Sequence, residues 1–161
     1  KFTQRHKLMR AYASDQTLTG IAEADETFFL YSEKGSRLIS KSRKPRKRGG
    51  KAKTAGISAD QVPVVVGKDR EGNLIVGVAG RGRVSAKDIE KVLEDHIDPK
   101  ATRVLRKKYH IQNVNGAHSN IKKWMAKFNG VSTKYLQNYM NWYCLLEETK
   151  DQSSRSECLS L

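Results

Sequence analysis

Acidic residues are in short supply. The 161-residue chain sets 17 Asp and Glu against 31 Lys and Arg, a formal charge of +14. So basic a balance is unlike an average soluble enzyme and points to a polyanionic partner, nucleic acid first. Cysteine is scarce too. Cys144 and Cys158 are too few for a disulfide framework or a zinc site, and they read as reduced thiols of a cytosolic protein. Long apolar runs are missing, and nothing approaches the roughly 18 residues of a membrane span. The opening "KFTQRHKLMRAYASDQ" is basic but lacks the apolar stretch of a signal peptide. It starts at Lys1 rather than Met, as a fragment of a longer chain would. What remains is 37% hydrophobic and 30% charged, enough for one domain with a real core.

Residues 1–20 are polar with a few apolar positions, and suit a short helical lead-in. "GIAEADETFFLYS" reads as a strand, because Thr27, Phe28, Phe29 and Tyr31 favour extended backbone. The stretch 41–53, "KSRKPRKRGGKAK", holds Lys41, Arg43, Lys44, Arg46, Lys47, Arg48, Lys51 and Lys53 with no acid. Such a run, punctuated by Pro45 and Gly49-Gly50, reads as a basic loop. A hairpin follows, in which Val62–Val66 and Leu74–Val78 flank turn residues 69–73. "SAKDIEKVLEDHI" is a helix with Ser85 as N-cap, Asp88 as its capping-box partner, and Ile89, Val92, Leu93 and Ile97 on one face. "ATRVL" resembles a further strand. Val114, Ala117, Ile121, Trp124, Met125 and Phe128 form a helical stripe, ended by Gly130. Leu136, Tyr139, Met140 and Tyr143 form a second one. The tail from 149 is polar and is expected to fray. Strands early and helices late suggest α/β or α+β.

Two stretches hold candidate chemistry. In "EADETFF", strand alternation puts Glu23 and Asp25 on one face and Glu26 on the other. A carboxylate inside a central strand is costly unless it is paired or metal-bound. An edge strand with one solvated face is the plainer alternative. In "HIQNVNGAHSNIKKWMAKF", Asn115, His118 and Lys122 share one helix edge, and His110 precedes it. Here the plainer alternative is a polar helix start that caps its own N–H groups. A strand carboxylate with a helix-edge oxygen suits Mg²⁺, which takes hard oxygen ligands from separate elements.

"GIAEADETFF", "PRKRGGKA" and "YHIQNVNGAHSNIKKWMAKFNGVSTKYLQNYMNWY" closely resemble the ISXO-type insertion-sequence transposases. These are bacterial enzymes of the DDE class, in the subgroup where Asn replaces the last acid. The resemblance spans roughly residues 15–148. It implies an α/β, RNase H-like mixed sheet flanked by helices over residues 21–148, with acidic ligands gathered on Mg²⁺ or Mn²⁺. Position by position, Asp25 matches the first catalytic aspartate and metal ligand, and Asn115 the third. Lys122 matches a basic residue that faces DNA, with Lys123 beside it. Arg43, Lys44, Arg46, Lys47, Arg48 and Lys51 join them as DNA contacts. Glu26, His110 and His118 are accessory candidates.

One departure is serious. In the family, the strand written here as "ATRVL" leads to the second catalytic aspartate, then to a helix and a further strand. This chain passes from Leu105 straight to "RKKYH", so one strand–helix segment is missing after residue 105. No acid lies between Leu105 and His110. Asp98 precedes the strand rather than ending it. The family's zinc ribbon and helix-turn-helix are also absent from the chain. Two functional classes follow. One is a transposase for cleavage and strand transfer at transposon ends and target DNA, impaired or degenerate. The other is a non-catalytic DNA-binding remnant or inhibitor of transposition. Either would act in the cytoplasm at the nucleoid, without a membrane, and either leaves room for a homo-oligomer. An RNA-binding or ribosomal role would explain the charge but not the "HIQNVN" block.

Overall fold

Continuous apolar runs such as Val62–Val66 and Leu74–Val76 build a sheet that is buried on both faces, and the striped helical segments cover it. The computed structural model describes residues 2–12, 16–36, 56–105 and 112–158. In chain order these form α1 (Phe2–Ala11), β1 (Ile21–Leu30), β2 (Gln61–Asp69), β3 (Leu74–Val78), α2 (Ala86–Leu93), β4 (Thr102–Leu105), α3 (Gln112–Ala126) and α4 (Leu136–Cys158). Single 3-10 turns at Glu94–His96 and Thr133–Tyr135 follow α2 and lead into α4. Arg43, Lys44, Arg46, Lys47, Arg48 and Lys51 of the basic stretch lie outside the described residues, as do His110 and the junction after Leu105.

The four strands form one mixed sheet in the order β3-β2-β1-β4. β2 runs antiparallel to both β1 and β3, and β4 runs parallel to β1. β4 pairs only with Ile21–Ala24, so Glu23 and Ala24 lie inside the sheet, while Asp25 to Phe29 pair with β2 alone among the described residues. The edge-strand reading of "EADETFF" is overturned only for its first two positions. Leu18 and Ile97 add a lone parallel bridge upstream of the β1–β4 pairing. That bridge explains why Ile97 does not continue the α2 face. The helix stops at Leu93, and Ile97 has already turned to extended backbone.

The two sheet faces bury different partners. On one, Val62, Val64 and Val66 pack with Val114, Ala117 and Ile121 of α3 and with Leu136, Tyr139 and Met140 of α4. On the other, Val65 and Ile75 pack with Leu18, Ala22 and Leu93. α2 presses close to this second face because β3 carries Gly77. A Cβ added there would sit 2.4 Å from Cγ1 of Val92. Its start is fixed as the sequence suggests, with Ser85 and Asp88 forming a reciprocal capping box.

α4 also guards the sheet edge. The outward N–H of Val78 on β3 donates to Oε1 of Gln137 at 2.7 Å, and Nε2 of Gln137 donates to the Val76 carbonyl at 3.2 Å. α1 is more than a lead-in, since Met9 and His6 are buried against α4. Nδ2 of Asn138 lies 3.1 Å from Nδ1 of His6, and Nδ2 of Asn141 donates to the Met9 carbonyl. α4 continues through residues 149–158 of the stretch that the sequence reads as a polar tail, and residues 159–161 lie outside the described residues. "EETKDQSSRSEC" contains neither Gly nor Pro, and Lys150 pairs with Glu147 one turn back at 2.6 Å. No helix among the described residues is long and apolar enough to cross a membrane.

Candidate functional site

Strand alternation sorts the acids of β1. Asp25 pairs in register with Val66, and Glu26 with Val65, so they face opposite sides of the sheet. Asp25 shares its face with Glu23 and Thr27, the face that α3 covers. Glu26 points to the other side and does not join Asp25 there.

Glu23 organises this corner. It is 2% exposed, and both of its carboxylate oxygens are engaged. Oε1 accepts from Nη2 of Arg70 at 2.8 Å. Oε2 accepts from the backbone N–H groups of Asn113 and Val114, at 3.2 and 3.4 Å. These are first-turn donors of α3, which have no partner within their own helix. A carboxylate there also complements the positive end of the helix dipole. Arg70 is held in place by the turn that carries it. Asp69, also 2% exposed, accepts from the N–H and the side-chain amide of Asn73, at 2.9 and 2.7 Å, and from the N–H of Thr19 at 2.9 Å. Three chain segments thus meet at two buried carboxylates.

The far end of α3 is fixed as well. Nζ of Lys34, just beyond β1, donates to the carbonyls of Phe128, Asn129 and Gly130 at 3.3, 3.1 and 2.7 Å. Asn129 and Gly130 take positive φ, 51° and 89°, and end the helix there. With its start at Glu23 and its end at Lys34, α3 runs along β1 in the same direction. Asp25 therefore lies beside the first turns of α3. Its Oδ1 is buried, as is Nε2 of His118 on the half-buried edge of the helix. Asn115 is exposed on the first turn, about 100° round from buried Val114. Lys122 is exposed on that same edge, and Lys123 faces solvent further round.

The fold thus brings the strand of Asp25 and the helix start of Asn115 to one corner, and lines up Lys122 behind Asn115. Asp98 lies elsewhere, before β4, where it accepts from the Lys100 N–H at 2.7 Å. As metal donors, Asp25 and Asn115 are hard oxygens of the right kind, but only one of them is charged. Glu23 is committed to Arg70 and α3. Among the described residues no three or more His, Cys, Asp or Glu gather where they could hold an ion. Glu23 and Arg70 are the residues whose role the sequence did not disclose. The one legible hint was that Glu23 alternates with Asp25. Neither a protein-family model nor a curated protein nor a solved structure matches this chain.

Proposed function

We propose that this chain is the shortened catalytic core of an ISXO-type insertion-sequence transposase, built on an RNase H-like fold and acting on DNA. The observation that carries this reading is the Glu23 clasp, which ties the strand of Asp25 to the helix start of Asn115. The mixed sheet flanked by helices also agrees with the implied fold. Asp25 is the charged ligand for Mg²⁺ or Mn²⁺, and Asn115 is a neutral one. Bound there, the cation would polarise a phosphodiester oxygen. A single charge holds such an ion weakly, so activity is impaired relative to a site with two acids. Lys122 and Lys123 meet the DNA backbone, joined by the basic stretch 41–53. The protein works in the cytoplasm at the nucleoid, where a second copy could hold the other transposon end.

The experiment is a joining assay. An oligonucleotide carrying an insertion-sequence end is incubated with target plasmid and Mg²⁺ or Mn²⁺. Joining by the wild type and its loss in Asp25→Ala support the enzyme. The sequence has no acid between Leu105 and His110, where the resemblance implies the second catalytic aspartate, and this favours a second reading, a DNA-binding remnant that inhibits transposition. Binding without joining, with a steep fall in affinity as salt rises, leaves only that second reading.

A further inference from the structure

A cavity of about 920 Å³ opens at the opposite end of β1 from Glu23. Its floor is a seam between the residues leaving β1 and the α3–α4 turn. The Ser32 N–H donates to Oγ1 of Thr133, and the Thr133 N–H donates to the Ser32 carbonyl, both at 2.8 Å. Tyr31, Phe128 and Tyr135 supply aromatic walls. Arg5, Lys34 and Lys134 are exposed at the rim, against one lining acid, Glu33.

Several of these groups are already held in position. His6 stacks on Tyr135 with ring centroids 4.3 Å apart. The Arg81 guanidinium lies 3.8 Å from the Tyr31 ring centroid, and Nζ of Lys134 lies 4.7 Å from that of Tyr135. Nζ of Lys34 gives its protons to three carbonyls, so it contributes positive charge rather than a new hydrogen bond. Groups fixed in advance lose little freedom when a ligand arrives. Cations in excess select an anion, and rigid ring walls select a flat body. The volume falls within the range of small-molecule sites. Asp25 is seven residues from Ser32 along extended chain, roughly 20 Å away. This cavity is therefore separate from the candidate catalytic corner.

We propose that the cavity binds one nucleotide unit, with its phosphate at Arg5 and Lys134 and its base beside the Tyr31 and Phe128 walls, the Tyr135 ring being already covered by His6 and Lys134. The same chemistry is offered by a free nucleotide and by a single-stranded nucleic acid, in which aromatic side chains and a positive groove commonly cooperate.

The test uses the intact chain in metal-free buffer, with deoxyadenosine monophosphate and a four-nucleotide oligothymidylate as probes, followed by calorimetry. Arg5→Glu and Lys134→Glu are compared with Lys91→Glu, an equal charge change on exposed α2 across the sheet. Circular dichroism checks that each variant is folded. The cavity variants should weaken binding about tenfold or more, and the control less than about threefold. Binding of the mononucleotide identifies a free nucleotide as ligand, and binding of the oligonucleotide alone identifies a strand. No binding by the wild type, or equal weakening in all three variants, overturns the proposal. Neither probe carries a transposon end and no metal is present, so the result is independent of the joining assay.

Discussion

Removing the Glu23 carboxylate tests the corner directly. Glu23→Ala takes away an acceptor at the start of α3, a loss worth about 1 kcal/mol for a helix cap. It also removes the bond to Arg70. Hydrogen bonds to charged groups are worth about 1.5–3 kcal/mol, but the Arg70 side chain is 54% exposed and regains water, so about 1 kcal/mol is the fitting figure. Loss of buried methylene contact adds about 1 kcal/mol. The total is about 3 kcal/mol. Glu23→Gln keeps the volume and an acceptor for α3 while losing the charge, so about half of that is expected. Urea denaturation should show a lower midpoint at an unchanged slope. Native-state hydrogen exchange should speed up first at Asn113 and Val114. Glu26→Gln, on the other sheet face, should stay within about 0.5 kcal/mol of wild type. If Glu23→Ala costs less than about 1 kcal/mol, or exchange at the α3 start is unchanged, the clasp does not hold the corner.

Other perturbations probe the packing and the buried titratable groups. Gly77→Ala should cost about 1–3 kcal/mol by driving a methyl into Val92, and Val92→Ala should recover much of the loss, as a double-mutant cycle in urea will measure. Burial pushes the Cys144 thiol up to about 12, so in a Cys158→Ser background Cys144 should react with an aromatic disulfide about a hundredfold slower when folded than when unfolded. Because that value is raised on folding, its share of stability is complete below the ordinary thiol range and is lost as pH climbs towards 12. Burial first, and then the Arg5 charge, lower the His6 pKa below its ordinary 6.5. Its contribution is thus complete above that range and is lost as pH falls. The wild type should lose more stability than His6→Gln between about pH 7.5 and about pH 5, and equal losses would refute this.

What was legible in the sequence was local. The Ser85–Asp88 box, the β2–β3 hairpin and the stripe from Val114 to Phe128 each lie within a few turns of chain, where periodicity and capping chemistry act. Strand alternation separated Asp25 from Glu26 correctly. The clasp escaped notice because its parts are remote, with Arg70 lying 47 positions and Asn113 90 positions after Glu23. An arginine in a turn looks like any other until the fold aims it. Polarity alone did not show where α4 ends, because a polar stretch without Gly or Pro can continue a helix as readily as leave it. The cavity at the far end of β1 was invisible because its parts are remote in sequence. It joins α1, the exit of β1 and the α3–α4 turn, and no single stretch of chain carries its pattern.

Gln137 has a further consequence for how this molecule behaves in company. An outer strand with free donors and acceptors is a template onto which another chain can add. One amide from α4 occupies both a donor and an acceptor of β3, much as one residue of a neighbouring strand would. The helix thus poses as a fifth strand at the point where recruitment would begin. Replacing Gln137 by Leu would leave the core whole yet reopen that border. The chain would then be exposed to edge-to-edge addition of its own copies, a route to aggregates rather than to unfolding.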